Sequence, residues 1–313
     1  MARSNAGQRI DANFTEDVVG LALESFLSVL SFPQLRFSIE PFTRSRERWL
    51  GADARLHSKL RGFRPFYMQF KRPAAYPDSS RAKVIRDRKQ LALSVHPTSL
   101  FFGLREKQPS HFDYQHNILY RLRKRLQARN IGDAAYVCPL FLDRSAYRIQ
   151  LHRAGLMRWP QFWRPDPWEL EDLLVHDGAR SIAFDRIPVL AEHISIPPHD
   201  VVTSAKHYYS FDDRGADLCF HSPTRLPDGS SSLARFLADT VAAFFRDDGK
   251  IRRDGANEML QLLIAAQDDE ELLPDAQDLL RSDDPIANWQ AFGARLRRDY
   301  EIEQFALVAW EAG

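Results

Sequence analysis

One uncharged segment, residues 134–142, constrains the fold most, because nine consecutive residues without a charge must lie inside the protein. It follows segment 112–129, whose apolar residues recur at helical spacing with basic residues on the opposite face. Gly132 separates the two segments and marks the end of the helix. The sequence therefore predicts an amphipathic helix that leads directly into a buried strand.

The preceding segments supply a first helix and several strands. Thr15 is a suitable N-cap for a helix over 16–30, which has a broad apolar face and ends before Pro33. Strands are predicted at 36–42, 53–58, 66–71, 91–95 and 99–104. Helix, strands, helix and strand in this order predict a three-layer α/β domain over residues 1–142.

Beyond residue 142 the pattern changes twice. A middle region, 143–232, mixes strands predicted at 189–196 and 206–211 with irregular backbone, and it ends in a polar, linker-like segment at 223–232. Residues 233–313 have the pattern of an acidic helical region, with helices predicted from Leu233, near 256–267 and at 285–299. The expected organisation is an α/β domain, a mixed middle region and a C-terminal helical region.

Size and composition exclude several classes of protein. The 313 residues suffice for about two domains, and 44% hydrophobic with 27% charged residues exclude a wholly disordered or collagen-like chain. No apolar run reaches the ~18 residues of a membrane-spanning helix, and the first residues lack the apolar segment of a secretory signal. With only two cysteines, Cys138 and Cys219, a reduced cytoplasmic setting is expected.

The formal net charge of +1 conceals two charged segments of opposite sign. Residues 61–129 contain sixteen Lys and Arg against four Asp and Glu, a net charge of +12, whereas residues 254–313 carry −10. A basic segment of this size favours a polyanionic partner, and the acidic segment could cover it when no nucleic acid is bound. A surface on which two solvated segments attract one another is the alternative interpretation.

Asp53, Gln69 and Lys71 form the most informative group of polar residues. Asp53 begins the predicted strand 53–58, and Gln69 and Lys71 are two apart on the next strand, so their side chains share one face. A hairpin would bring the Asp53 carboxylate and the Gln69 amide oxygen together as ligands for Mg²⁺. The metal could activate a water molecule, which Lys71 could orient. This arrangement is suited to phosphodiester hydrolysis.

The same residues resemble the PD-(D/E)XK, or restriction-endonuclease-like, nuclease superfamily. An initial helix, an Asp entering one strand, and a Gln69-Phe70-Lys71 sequence ending the next are similar to a branch in which Gln replaces the middle acid. The resemblance covers residues 14–142 and implies a catalytic core of Asp53, Gln69 and Lys71, with Asp53 and Gln69 as magnesium ligands. It implies a Mg²⁺-dependent DNA nuclease of prokaryotic defence or DNA processing.

The supporting acid of such a centre has three candidates. Glu24, on the first helix, is in the position where such proteins often carry this acid, and Glu40 and Glu47 compete for the role. Gln69 carries no charge, so a centre without one of these acids would have a single carboxylate. The alternative is a catalytically inactive nucleic-acid- or protein-binding component on the same scaffold, in which the core residues are ordinary turn and strand residues.

The basic segment supplies the expected contacts to a nucleic acid. DNA is the expected partner, and the C-terminal region is a candidate surface for a protein partner. The predicted DNA-contacting residues are Arg72, Arg81, Lys83, Arg86, Arg88, Lys89, Arg121, Lys124 and Arg125.

A second group of potential metal ligands lies in the middle region. It comprises His193, His199, His207, Cys219 and His221, and imidazole and thiolate groups are good zinc ligands. Their spacing matches no standard zinc pattern, so packing or surface roles are the expected interpretation. Residues 206–209 have an alternative use in stacking on nucleic acid or contacting its phosphates.

Overall fold

The computed structural model describes residues 8–30, 38–41, 60–153, 174–176, 180–182, 184, 187–221, 224–226, 231–246, 248–265 and 271–310. Its helices are α1 (Glu16–Leu30), α2 (Lys83–Gln90), α3 (Gln115–Ala128), α4 (Ser145–Arg153), α5 (Pro188–Ala191), α6 (Leu233–Phe244), α7 (Ala256–Ile264) and α8 (Pro285–Tyr300). Its strands are β1 (Ile10–Asp11), β2 (Ser38–Pro41), β3 (Leu60–Phe70), β4 (Ala74–Pro77), β5 (Thr98–Gly103), β6 (Asp133–Pro139), β7 (Leu174–His176), β8 (Arg180–Ile182), β9 (His193–Ile196), β10 (Tyr208–Phe211), β11 (Cys219–Phe220), β12 (Thr224–Arg225), β13 (Ser231–Ser232), β14 (Ile251–Arg252) and β15 (Glu303–Trp310). The architecture is α/β, as the sequence predicts.

Strand β3 is the centre of the main sheet, and ten of its eleven residues are buried. The strand order is β13–β9–β6–β3–β15–β2, and β14 also pairs with β3. β3 pairs in parallel with β6 and antiparallel with β15, where Met68 lies opposite Glu303. Apolar residues run through most of β3 without alternation, because a strand covered on both faces has no solvent side for polar residues.

Helices cover both faces of this central sheet. On one face, α1, α5 and α6 pack against side chains such as Phe66 of β3 and Phe305 of β15. On the other face, α3, α7 and α8 pack against Phe63 and Tyr67 of the same strand. None of the helices within the described ranges is long and apolar enough to cross a membrane.

A second, antiparallel sheet packs against the α3 side of the core. Its strand order is β1–β4–β5–β10–β11–β12, and its inner face contributes Phe102 and Tyr209 to the core. Its outer face carries Phe101, and α2 covers part of that face through Val84. Only three residues separate β3 from β4, so the chain passes directly from the central strand of the first sheet into the second sheet.

The helices predicted from a strong apolar repeat are confirmed, whereas some strands predicted from weaker patterns are wrong. The first helix and the helix before Gly132 form as predicted, with the inward residues of α3 fully buried. Residues 91–95 form no strand but follow α2, whose sequence has only two apolar residues. Segment 189–196 is not one strand but the end of α5 followed by β9. The predicted strand 53–58 lies outside the described residues.

The C-terminal region contains the expected helices, but it also ends in a strand that the sequence analysis did not predict. This strand, β15, lies between β3 and β2 in the central sheet. β9 of the middle region pairs with β6, so sheet hydrogen bonds cross the boundaries expected at residues 142 and 232. The linker-like segment contributes two short strands, β12 and β13, to different sheets.

We expect Gly132→Ala to destabilise the turn that joins α3 to β6. An added Cβ would lie 2.4 Å from the carbonyl oxygen of Pro65 in β3 and 3.2 Å from Leu126 Cδ2. Relief of these contacts must move buried backbone, so the free energy of unfolding should fall by about 2 kcal/mol in chemical denaturation. Gly103→Ala is the control, because its Cβ would meet nothing within 4 Å. Equal effects of the two substitutions would contradict this interpretation.

Candidate functional site

Lys71 directly follows the last residue of β3, and its ammonium group is buried. The residue is 1% exposed, and its backbone N–H donates to the Val137 carbonyl oxygen at 2.8 Å. Its Nζ donates to Gln115 Oε1 at 3.1 Å. Gln115 begins α3, and its Nε2 donates to the carbonyl oxygen of Tyr300, the last residue of α8. Three elements, β6, α3 and α8, therefore fix the position of this cation.

Three charged side chains act on the Lys71 ammonium group. Arg105, between β5 and α3, forms ion pairs with both Glu16 and Glu301. Burial lowers the pKa of Lys71 to about 8, and this shift is opposed by Glu16 and Glu301 and increased by Arg105. Lys71 is therefore still protonated at neutral pH but close to the pH at which it releases its proton, which is typical of functional lysines.

Gln69 shares the face of Lys71, as their spacing predicts. Gln69 lies opposite Tyr136 of β6, and the Lys71 ammonium group lies 5.6 Å from the centre of the Tyr136 ring. Both amide atoms of Gln69 are buried and have no hydrogen-bond partner in the described part of the chain. The same is true of the Gln304 amide and the Tyr67 hydroxyl, which lie opposite one another on β15 and β3.

This patch of unpaired polar groups lies against α8. A Cβ at Gly293 of α8 would lie 1.6 Å from Gln304 Oε1, so only glycine allows the two elements to pack this closely. A buried polar group without a partner costs about 1–3 kcal/mol, and core positions of this kind are usually apolar. Buried polar groups that are retained at such a cost need an explanation, and function is one.

The described residues do not form the predicted magnesium centre. Asp53 lies outside them, so its predicted position beside Gln69 stays a prediction. Within the described ranges, no group of three or more His, Cys, Asp or Glu side chains could hold a metal ion. Gln69 contributes a single neutral oxygen, whereas Mg²⁺ prefers six hard oxygen ligands, usually including carboxylates. Because Asp53, the expected carboxylate ligand, lies outside the described residues, the magnesium centre stays a prediction.

The Glu16 carboxylate, in the first turn of α1, raises the pKa of Lys71. Glu24 lies two turns further along the helix, about 12 Å from Glu16 in axial rise. The predicted role of Glu24 as the supporting acid stays a prediction. Glu47 and the side chain of Glu40 lie outside the described residues.

A cleft of about 420 Å³ opens between α1 and α8 at this end of the sheet. Phe70, the neighbour of Lys71, forms part of its wall. Its charged lining residues are Glu16, Asp17, Glu301, Glu303, Arg297 and Arg298. Arg297 pairs with Glu303 at 2.8 Å, so part of the acidic wall is neutralised. The cleft gives a polar ligand access to the end of β3.

Two of the nine predicted DNA-contacting residues are buried, and their predicted role is wrong. Arg88 is 0% exposed and donates to Ser210 Oγ at 3.0 Å and to the Asp217 carbonyl oxygen at 2.9 Å. Arg125 is 3% exposed and donates to two carbonyl oxygens at the end of α7, both at 2.8 Å. A guanidinium group with several acceptors can be buried, so a basic residue on a helix need not face solvent. Arg121 is partly buried and pairs with Asp113.

The other predicted residues face solvent, and most of them are close in sequence. They are Arg72, Arg81, Lys83, Arg86, Lys89 and Lys124. Lys124 lies on α3, whereas the first five lie on α2 or beside β4, and we call these five residues the basic face. Their contact with nucleic acid stays a prediction.

A buried hydrogen-bond network anchors α2, and hence the basic face, to the second sheet. His221 Nδ1 lies 2.8 Å from Asp87 Oδ2, and its Nε2 lies 3.0 Å from Ser210 Oγ. Asp87 also accepts hydrogen bonds from Tyr208 Oη at 2.8 Å and from Lys83 Nζ at 2.6 Å. Acid, imidazole and hydroxyl have the connectivity of a catalytic triad. Ser210 is 0% exposed, however, and its Oγ already accepts a guanidinium hydrogen bond, so the network is structural.

The alternative zinc cluster is not assembled. His193 Nε2 lies 2.9 Å from Tyr147 Oη, and His207 Nδ1 lies 2.7 Å from the His221 carbonyl oxygen. Cys219 is a buried free thiol. These groups are used in packing and local hydrogen bonds, which was the preferred interpretation of the sequence.

Four residues of the site were missed by sequence analysis: Glu16, Arg105, Gln115 and Glu301. Glu16 and Gln115 were identified only as parts of the helices predicted over 16–30 and 112–129. Nothing in the sequence pairs Lys71 with a residue 44 positions away, so only the fold identifies Gln115 as its partner.

Comparisons of this chain with protein-family models, with curated proteins and with solved structures find no match.

We expect Lys71→Met to raise the free energy of unfolding at pH 7 by up to about 3 kcal/mol. The pKa of Lys71 falls from 10.5 to about 8 on folding, so burial of the charged form opposes folding. This destabilisation is absent above pH 10.5 and complete below pH 8. The stability gained by Lys71→Met should therefore shrink as the pH rises from 8 to 10.5. Chemical denaturation at pH 7 and pH 10 measures both values. Exposed Lys124→Met is the control, and a loss of stability in Lys71→Met at pH 7 would contradict the prediction.

Buried histidines predict that the protein loses stability in acid. Burial lowers the pKa of His116, His193 and His221 from 6.5 to about 4. The unfolded chain binds protons first as pH falls, so each histidine contributes a slope of about 1.4 kcal/mol per pH unit between these values. Unfolding free energies at pH 7.5, 6 and 5 measure the slope. His221→Gln should reduce this slope by about 1.4 kcal/mol per pH unit, the contribution of one proton. An unchanged slope would show that His221 is not involved.

Proposed function

We propose that this protein is a nucleic-acid-processing protein of the nuclease type, with its reactive centre at Lys71. The observation that carries the proposal is the Lys71 ammonium group, which is buried and held by Gln115, in the residue that follows Phe70 of the cleft wall. A cation in a fixed position and of low exposure is suited to bind a non-bridging phosphate oxygen. It would also stabilise the negative charge that develops there in the transition state.

The basic face supports a polyanion as the substrate. Arg72 follows Lys71 directly and is exposed, and Arg81 and helix α2 carry the other cations of the basic face. Arg81 and Arg86 form no side-chain hydrogen bond or ion pair with the described residues, so their charges remain available to a ligand. A row of such cations binds the phosphate backbone without regard to base sequence.

The order of elements supports the reaction class. Strands β3 and β6 are parallel, the last helix of their connection is α3, and Gln69 and Lys71 lie at the carboxyl end of β3. This arrangement supports the restriction-endonuclease-like core that the sequence resembles, and hydrolysis of DNA phosphodiesters is the activity that such a core implies. Magnesium would supply water activation there, with Asp53 as its expected carboxylate. The role proposed for Lys71, the binding of phosphate, is independent of the metal.

Binding without hydrolysis is a second candidate function. It is favoured by Gln69, which supplies no carboxylate, and by Arg105, which already occupies the Glu16 and Glu301 carboxylates. In this case the basic face would hold the nucleic acid, and Lys71 would contact a phosphate that is not cleaved.

Cleavage and binding assays distinguish these functions. Plasmid, linear duplex, single-stranded DNA and RNA are incubated with the full chain and Mg²⁺ or Mn²⁺. We expect cleavage of at least one substrate, and a loss of about 100-fold or more in Lys71→Met, because a positioned charge is removed from the transition state. Affinity in EDTA should change far less and should weaken steeply with salt. Lys250→Met, at an exposed site, is the control.

Each outcome assigns the function differently. Salt-dependent binding without cleavage by the wild-type protein would establish the second function. Cleavage that persists in Lys71→Met would show that Lys71 is not the reactive centre. The absence of both cleavage and binding would contradict nucleic acid as the partner.

A further inference from the structure

Three aromatic side chains form a row on the outer face of the second sheet. Tyr76 on β4, Phe101 on β5 and Tyr208 on β10 lie on three neighbouring strands. The Tyr76 and Phe101 rings are stacked with their centres 5.2 Å apart. The Phe101 and Tyr208 rings are 6.3 Å apart and inclined at 72°. We call these three residues the aromatic row.

Helix α2 covers the aromatic row only in part. Val84 packs against it and Asp87 binds the Tyr208 hydroxyl, yet Tyr76 and Tyr208 both remain partly exposed. Gly103 lies directly opposite Tyr208 on the neighbouring strand. A Cβ at Gly103 would meet nothing within 4 Å, so the surface beside the Tyr208 ring is open.

Positive charge lies along the aromatic row. The Arg9 guanidinium carbon is 5.4 Å from the centre of the Phe101 ring, and Lys83 Nζ is 5.5 Å from the centre of the Tyr208 ring. Both cations already have an acidic partner, because Arg9 pairs with Asp11 and Lys83 pairs with Asp87. Among the described residues Arg81 and Arg86 of the basic face have no such partner, so a ligand that contacts both surfaces would offer flat aromatic groups and negative charge together.

We propose that the aromatic row binds single-stranded nucleic acid, with a base stacked on Tyr76 and phosphates held by the basic face. The Tyr208 ring already stacks on His221, with the ring centres 3.7 Å apart, and it borders the site. Stacking on protein side chains requires unpaired bases, which a duplex does not present. Tyr76 is five residues from Lys71, at most about 17 Å of extended chain, so a short single strand could contact both. This inference rests on the proposed function for its choice of nucleic acid as the partner.

Fluorescence anisotropy with the full chain in EDTA tests this inference. The probes are labelled oligo(dT), oligo(U) and a mixed-sequence duplex of equal length, so that DNA, RNA and duplex are compared directly. We expect both single strands to bind more tightly than the duplex. Tyr76→Leu should weaken single-strand binding about tenfold, because one stacking surface is lost. Tyr120→Leu, on the partly exposed side of α3, is the control.

Gly103→Glu tests the open surface, where the added Cβ would meet no atom within 4 Å. It places a carboxylate beside Tyr208, so single-strand affinity should fall about tenfold, whereas Gly103→Ala adds only a methyl group and should have little effect. Tyr76→Leu should leave the slope of log affinity against log salt unchanged because it removes no charge. Arg81→Gln should reduce that slope by about one. Denaturation midpoints confirm that each variant is folded.

Three results would overturn the inference. The duplex could bind as tightly as single strands, or Tyr76→Leu and Gly103→Glu could leave single-strand binding unchanged. In both cases the aromatic row has no such role, while nucleic-acid binding by the basic face stands. If neither single strands nor duplex bind, both this inference and the proposed function fail.

Discussion

Burial of β3 on both faces is the constraint on which the rest of the structure depends. Its backbone N–H and C=O groups are shielded from water and must be paired within the sheet, so β6 and β15 take the two sides. Helices from distant parts of the chain then cover the faces. Lys71 is positioned as a consequence, since it stands where β3 ends and its ammonium group meets the first residue of α3. The site therefore has the rigidity of the sheet.

The net charge of a sequence segment does not give the charge that the segment presents on the protein surface. Of the sixteen cations in residues 61–129, four are buried: Arg64, Lys71, Arg88 and Arg125. Arg64 donates to the carbonyl oxygens of Asn130 and Gly249, so a residue of β3 ties together two turns that are far apart in sequence. These cations stabilise tertiary structure through hydrogen bonds. The positive surface that remains is smaller than the sequence suggests, and it is concentrated on α2 and beside β4.

Local patterns were sufficient to predict α1, α3 and β6, because their apolar residues repeat at helical spacing or form an uninterrupted run. They were insufficient for α2, whose buried side includes Asp87 and Arg88. The partners that make this burial possible, His221 and Ser210, lie 134 and 122 positions away. At the site, the two-residue spacing of Gln69 and Lys71 correctly predicted that their side chains lie on one face. The contacts of Lys71 with Gln115, Glu16 and Arg105 depend on tertiary structure, which local sequence does not encode.

The position of β15 also affects the order in which the parts of the protein can fold during synthesis. During synthesis β3 emerges more than 230 residues before β15, and until then one of its edges has no strand beside it. Pairing at such a sequence separation makes folding slow, and an unpaired hydrophobic edge promotes association with other chains. Tyr300, which orients Gln115 toward Lys71, is also made late. A nascent or truncated chain therefore lacks an ordered Lys71 centre, so the site is assembled only after nearly the whole chain has been synthesised.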